Sequence, residues 1–312
     1  MKTLIISLGL SLALLGQPAT ASGSAKKEGA CSSTATVAQT ACVYDVLDSY
    51  WISTGKCKNL ADASARAECV ADLKDFQREG RQECAAQKVA RLDLCDDLGE
   101  APYDPPFEPS LFVNPNDIGR AVAPNPLYPL IAGQVRRFRG SGEQITVTTT
   151  HEVALISGVP CRAVRDTVRV GGKIEEDTTD WFAQDIYGNV WYCGESTAEY
   201  EDGRPVNVDG SFKAGIDGAK PGIIMKAAPA VGDVYRQEFD LGNAEDAAEV
   251  INLNGSARVP AASCASNCLV TEETTALSPD ALENKYYKPG VGVILEAHPA
   301  TGERTELIEI IN

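Results

Sequence analysis

The chain has 312 residues, of which 44% are hydrophobic, and it carries a formal net charge of −16 and 10 cysteines. So acidic a chain repels phosphate backbones and anionic lipids, which argues against nucleic acid or a membrane surface as a partner. The length is enough for one large or two modest domains.

Residues 1–21 predict a secretory signal peptide. Lys2 gives a positive start, residues 4–16 are apolar but too short to span a bilayer comfortably, and residues 19–21 form an A-x-A cleavage site. The first cysteine, Cys31, follows Glu-Gly-Ala, which is not the sequence of a lipoprotein signal. We therefore expect a secreted or periplasmic protein that has no lipid anchor and does not insert into a membrane after cleavage.

The cysteine pattern predicts a helical hairpin over residues 31–98. No C-x2-C pair occurs, which favours disulfides over zinc in an exported chain. The first six cysteines are separated by 11, 15, 12, 15 and 11 residues, a series that reads the same in both directions. On a helix, steps of 11 and 15 residues return to about the same face, so the cysteines of each half form a stripe along one helix. Folding this segment at residues 59–64 predicts three disulfides, Cys31 with Cys95, Cys42 with Cys84 and Cys57 with Cys69.

Residues 99–131 predict a packed, proline-rich linker. Eight of the 17 prolines lie in it, which excludes a regular helix or a central strand. Its interspersed aromatic and leucine side chains argue against a disordered spacer. We expect an extended segment that packs over the next domain.

Residues 132–312 predict an antiparallel β domain, because apolar residues alternate there at period two between short turns. A four-strand meander with turns at 157–158, 171–172 and 188–189 is followed by a long loop over 201–222. Further strands are expected at 232–240, 246–254, 267–275, 284–296 and 303–311. The predicted fold class is α+β, a disulfide-linked αα-hairpin followed by a curved meander sheet or open half-barrel.

Matching the apolar faces of the first strands gives a register that collects polar residues on one face. This register places Thr149 opposite Asp166, His151 opposite Val164, and Asp166 opposite Asp177. The resulting group of Thr149, His151, Asp166 and Asp177 is interpreted either as a buried hydrogen-bonded network or as a ligand or cation site. In the second case, His151, Asp166 and Asp177 are the candidate metal ligands.

The same register places Trp181, Trp191 and Cys193 on the face of Ile145, as core or as the lining of a concave sheet. Cys161 and Cys193 would then point to opposite faces two strands apart, which predicts no bond between them unless a bulge shifts the strand. A local Cys264–Cys268 bond is preferred for the remaining cysteines.

Four segments resemble a family of uncharacterised secreted bacterial proteins. They are residues 93–109, 176–195, which include "DWFAQDIYGNVWYCGE", 218–239, and 269–296, which include "NKYYKPGVG". The first resembles the junction in members with a helical, cysteine-rich N-terminus. This resemblance implies a β-rich extracytoplasmic protein and brings no established activity.

The expected function is that of a secreted or periplasmic, non-enzymatic binding or structural protein, with an apolar small molecule or a divalent cation as candidate ligand. The alternative is a hydrolase or a divalent-cation-binding protein centred on His151, Asp166 and Asp177. Only two histidines are present, which excludes a three-histidine zinc site, and no hydrolase or nucleotide-binding motif stands in a supporting context. No catalytic residue and no cofactor is assigned.

Overall fold

The computed structural model describes residues 29–312, so the predicted signal peptide lies outside the described residues. Within this range, two helices packed against each other precede one large antiparallel sheet. The predicted α+β class is confirmed. Neither helix is long and apolar enough to cross a membrane.

The two helices, α1 (Ala30–Lys58) and α2 (Ala63–Leu98), form the hairpin. The side chain of Asp62 caps α2 by accepting a hydrogen bond of 2.8 Å from the Ala65 backbone N–H. Three disulfides cross-link the helices with Cα–Cα distances of 5.6 to 5.7 Å, and they join the pairs that the palindromic spacing predicts, Cys31–Cys95, Cys42–Cys84 and Cys57–Cys69.

The sheet contains 16 strands. Its first half consists of β1 (Val135–Gly140), β2 (Glu143–Ile156), β3 (Val159–Val170), β4 (Lys173–Gln184), β5 (Val190–Ser196), β6 (Glu199–Glu201), β7 (Arg204–Asn207) and β8 (Phe212–Lys213). The second half consists of β9 (Lys220–Met225), β10 (Val234–Arg236), β11 (Glu238–Phe239), β12 (Asp246–Val259), β13 (Ala262–Thr275), β14 (Leu282–Lys288), β15 (Gly292–Ala297) and β16 (Arg304–Ile311). The segment 201–222, predicted as a loop, therefore contains short strands.

One stretch of chain brings the two ends of the sheet together. β10 pairs with β12 at one end of the strand order, and β11 pairs with β9 at the other, with only Gln237 between them. At this closure a Cβ on Gly222 would lie 2.1 Å from the Gln237 carbonyl oxygen, so only glycine allows the approach. The sheet is consequently nearly closed and barrel-like.

Two bulges change the register that the sequence predicts. The pairing of β2 with β3 follows the prediction near its turn, with Ile156 opposite Val159, but shifts by two residues between Thr149 and Val153. Thr149 therefore lies opposite Val164 rather than Asp166. The pairing of β3 with β4 also starts as predicted and shifts by one residue between Val168 and Arg169.

This one-residue shift overturns the predicted Asp166–Asp177 pair. Asp166 lies opposite Thr178, and Asp177 lies opposite Thr167 on the other face of the sheet. Both tryptophans and Cys193 change face with β4 and β5, so the prediction that they share the face of Ile145 is wrong. They belong to an outer cluster with Phe112, Ile156 and Ala183.

The disulfide between Cys161 and Cys193 is present, with a Cα–Cα distance of 6.7 Å, whereas the sequence predicts no bond unless a bulge shifts the strand. Both cysteines lie in the outer cluster. The one-residue shift between Val168 and Arg169 brings Cys193 to the face of Cys161, so the exception that the prediction made for a bulge applies. The local Cys264–Cys268 bond is also present.

The proline-rich segment packs on both sides of the sheet. Phe107, Leu111 and Phe112 cover Trp191 on the outer face. Further along, Tyr128 packs against Phe182 in the interior, with ring centroids 5.2 Å apart. The expected packing of this segment over the sheet is therefore observed, and its end helps to fill the interior.

Candidate binding site in the sheet interior

The interior of the sheet holds a cavity of about 330 Å³, at the lower end of the roughly 300–1,000 Å³ that ligand pockets commonly span. Its walls combine aromatic rings with carboxyl groups. The rings are those of Tyr128, Phe138, Phe182, Tyr192 and Tyr287. The carboxyl groups are those of Asp166, Asp180, Glu195, Glu238, Asp246, Glu273 and Glu296.

The cavity is strongly unbalanced in charge. Seven carboxyl groups line it, against only two basic side chains, Arg136 and Lys285. Carboxylates crowded together in a poorly solvated space repel one another, so protons or a bound cation must offset the excess.

Lys285 neutralises one part of the wall. Its Nζ lies 3.0 Å from Glu273 Oε2 and 3.4 Å from Glu283 Oε2. Burial acts to lower the pKa of Lys285, but the charges of Glu273 and Glu283 outweigh burial and raise this pKa well above its ordinary value. The other oxygen of Glu273 accepts hydrogen bonds from the hydroxyl groups of Thr271 and Tyr287, both at 2.9 Å. Glu273 is therefore fully partnered.

A second part of the cavity wall is a hydrogen-bonded set of two carboxyl groups around the Tyr192 hydroxyl. Tyr192 is hydrogen-bonded to Asp180 and, at 3.1 Å, to Glu195 Oε2. A phenol has one proton to donate, so both contacts are satisfied only when one carboxyl group carries a proton of its own. Burial raises the pKa of Asp180 to about 6 and that of Glu195 to about 8, and neighbouring carboxylates add to both shifts. Glu195 is thus the group that holds the proton.

Within the described residues, three buried polar atoms of side chains that line the cavity have no hydrogen-bond partner: Asp166 Oδ1, Gln237 Nε2 and Glu238 Oε2. Gln237 and Glu238 are only 3% and 8% exposed. Burial raises the pKa of Asp166 and of Glu238 well above the ordinary values, nearby carboxylates raise both further, and a hydrogen bond between the carboxyl groups of Glu238 and Asp246 adds to the shift of Glu238. Buried polar atoms in folded proteins are almost always paired with protein groups or ordered water, so these three atoms are positions in the wall that remain open to water or a ligand.

The structure does not bring the three predicted metal ligands together. Asp166 lines the interior cavity. Asp177 lies on the opposite face, where Arg165 donates two hydrogen bonds of 2.8 and 2.6 Å to its carboxylate and lowers its pKa. His151 is exposed, in the irregular part of β2 between Thr149 and Val153. Thr149 is buried, and its hydroxyl has no partner.

Within residues 29–312, no group of three or more histidine, cysteine or acidic side chains is arranged to hold a metal ion. The carboxyl groups of the cavity are spread over its walls on different strands instead of converging on one point.

Sequence reasoning misses Glu195, Glu238, Lys285 and Glu296. Glu296 is an isolated charge in an apolar strand, whereas the other three have polar or charged residues close to them in the sequence, and closure of the sheet brings all four to one cavity. The available signal is a charge at an inward position of an alternating strand, as at Lys285, which lies two residues before the cavity-lining Tyr287.

No protein-family model and no curated protein matches the chain. Among solved structures, the chain is similar to a protein from Parabacteroides distasonis that is described as a lipoprotein, at 13% identity and a TM-score of 0.33. That similarity covers 61% of this chain and 100% of the other. A similarity this low carries no argument about function.

Proposed function

We propose that this protein is an exported, non-enzymatic binding protein whose sheet interior takes a small organic cation that bears primary amino groups. The observation that carries the proposal is the interior excess of carboxyl groups, seven against two basic side chains, with two carboxyl oxygens left unpartnered.

The lining favours an organic cation over the apolar ligand that the sequence suggests. An apolar molecule would leave the carboxyl groups desolvated and unpaired, which is costly. An organic ammonium ion offsets their charge, while its carbon chain contacts aromatic rings such as the stacked pair Phe182 and Tyr192, whose centroids lie 4.7 Å apart. Carboxylates together with aromatic faces are a suitable environment for such an ion.

The unpartnered atoms favour a primary amine over a quaternary one. Asp166 Oδ1 and Glu238 Oε2 are acceptors that lack a donor. A primary ammonium group supplies three N–H donors, whereas a quaternary ammonium supplies none. The two acceptors lie on separate strands, β3 and β11, so a diamine with an amino group for each is the preferred ligand class.

Export is supported by the cysteine chemistry. All five disulfides lie within residues 29–312, and no cysteine in that range is free. Disulfides persist in oxidising compartments such as the periplasm and the extracellular space. This supports the secreted or periplasmic location that the signal sequence predicts.

The test is calorimetric titration of the mature protein with putrescine at pH 8, alongside choline and magnesium chloride at equal ionic strength. We expect putrescine to bind, and choline and magnesium to bind far more weakly. Asp166→Asn and Glu238→Gln remove one charged acceptor each and should weaken putrescine binding about tenfold or more. The matched control is Glu175→Gln, a change of the same charge at an exposed position of β4.

Two results would contradict the proposal. One is the absence of binding for putrescine and for simple monoamines at millimolar concentration in the folded wild-type protein. The other is a loss of affinity in Glu175→Gln as large as that in Asp166→Asn, because the effect would then reflect net charge rather than the cavity. Thermal melting of each variant checks that it is folded.

A further inference from the structure

A second, smaller cavity of about 130 Å³ lies where the helical hairpin meets the sheet. Its apolar walls come from the start of α1, the end of α2 and the rings of Tyr103 and Phe239. Two arginines, Arg91 of α2 and Arg236 of β10, complete the lining together with Glu245. This cavity shares none of its lining residues with the acidic interior cavity.

The carboxylate of Glu245 is already saturated. Arg91 donates to both of its oxygens, from Nε at 2.8 Å and from Nη2 at 2.7 Å. The Gly242 backbone N–H donates a third hydrogen bond of 2.8 Å to Oε1. Glu245 therefore balances the charge of one arginine, Arg91, and no more.

Among residues 29–312, Arg236 is hydrogen-bonded to no carboxylate, and Glu245, whose charge acts on it, is already paired with Arg91. Its guanidinium group lies 4.7 Å from the ring centroid of Phe239 and 5.5 Å from that of Tyr103, and its Nη2 contacts Cys31 Sγ at 3.9 Å. The residue is only 6% exposed, and burial lowers its pKa. A buried guanidinium whose described contacts are rings and a sulfur atom lacks a directly paired negative charge.

Both arginines keep one N–H-bearing atom unused. Arg91 Nη1 and Arg236 Nη1 are buried and have no hydrogen-bond partner in the part of the chain that the structure describes. The carboxylate of Glu100, beside the start of α1, is engaged elsewhere, because it accepts from the Ser32 backbone N–H at 3.0 Å and from the Ser32 hydroxyl. The cavity thus presents two unused donors and one net positive charge.

We propose that this cavity is a binding site for a small monocarboxylate with a short aliphatic chain. One negative charge balances Arg236, and the two carboxylate oxygens accept from Arg91 Nη1 and Arg236 Nη1. The aliphatic chain packs against the apolar wall formed by residues such as Ala35, Leu98 and Phe239. Sulfate and phosphate carry more charge than the site offsets and have no apolar part for this wall.

The test is a thermal melt and a calorimetric titration of the mature protein with sodium butyrate, compared with sodium chloride and sodium sulfate at equal ionic strength. Butyrate should raise Tm, because a ligand that binds only the folded state stabilises it. Sulfate should give no more than the shift seen with chloride.

Arg236→Met keeps the side-chain length and removes the charge. We expect it to lose the butyrate shift, with at least a tenfold loss of affinity, while its Tm without butyrate stays equal to or above that of the wild type, because an unpaired buried cation is gone. Arg139→Met, at an exposed position of β1, is the matched control and should keep the butyrate response.

Ala101→Leu provides a test that keeps both arginines, since this exposed residue lies at the edge of the cavity. The added side chain narrows the cavity and should weaken butyrate binding. The proposal is overturned if butyrate gives no more stabilisation than chloride, if Arg236→Met keeps the butyrate shift, or if Ala101→Leu binds butyrate as tightly as the wild type.

Discussion

Arg91 and Glu245 form a two-bond ion pair that joins the helical hairpin to the sheet, with side chains only 5% and 1% exposed. A pair so fully desolvated stabilises the fold only while both partners are present, because either charge alone would be buried without compensation. This ion pair therefore helps to hold the hairpin to the sheet, together with the hydrogen bond of 3.0 Å that Gln87 Nε2 donates to the Leu277 carbonyl oxygen.

Glu245→Gln should lower the free energy of unfolding by about 3–5 kcal/mol, since it leaves Arg91 unpaired. Urea denaturation measures the loss. Asp202→Asn is the control, because the Lys173–Asp202 pair is 73% and 91% exposed, and such pairs contribute about 0–1 kcal/mol. Equal effects of the two substitutions would contradict the structural role assigned to Arg91 and Glu245.

The stability of the ligand-free protein should fall as pH rises from about 4 to above 8. Asp180, Glu296 and Glu195 have pKa values raised by burial to about 6, 7 and 8 in the folded state. The folded state then binds more protons than the unfolded state, so the stabilisation is complete below the unfolded pKa and is lost as pH passes the folded values. Melting curves from pH 4 to 9 measure this slope.

Glu195→Gln should flatten the upper part of this profile, because glutamine resembles the protonated acid and does not titrate. A wild-type Tm that stays constant or rises across the range would refute the raised pKa values. With putrescine bound, Tm should fall less steeply as pH rises. The reason is that the bound cation then offsets the charge of the carboxylates, which the protons do in the ligand-free protein.

The helical hairpin is predictable from the sequence because the cysteine spacing within each helix determines which cysteines can meet. Each cysteine step is set by the turn of a single helix, and folding about the Asn59–Ala63 region fixes all three bonds at once. The sheet is different, because register accumulates along paired strands. The predicted pairings hold beside both turns, at Ile156 with Val159 and at Val170 with Lys173.

The misplacement of Asp177 follows from one bulge. The extra residue near Val168 reverses every side chain of β4 beyond it, which moves Asp180 into the interior and Asp177 out of it. The two-residue shift in β2 preserves the faces, so Asp166 was correctly placed on the face of Ile145. Glu238 could not be placed, because its position depends on the closure between β9, β11 and β12.

The two disulfides of the sheet should differ in their contribution to stability. Replacing Cys161 and Cys193 by alanine opens a connection between residues 32 positions apart, whereas Cys264 and Cys268 are separated by 4. A larger closed loop restricts the unfolded chain more, which predicts losses of about 3–4 and about 2 kcal/mol. Urea denaturation of the two double variants decides the order, and the reverse order would contradict it.

Closure of the sheet should fail when Gly222 gains a side chain. The Cβ of Gly222→Ala would meet the Gln237 carbonyl oxygen at 2.1 Å, so β9 and β11 must separate. We expect a loss of about 3 kcal/mol, at the upper end of the usual cost of overpacking, with faster hydrogen exchange at the amides of Gln237 and Phe239. Gly55→Ala is the matched control, because a Cβ there meets nothing within 4 Å, and it should stabilise α1 by about 0.5–1 kcal/mol. Unchanged exchange in Gly222→Ala would show that the sheet does not depend on this contact, and the shape of the acidic cavity would then need another support.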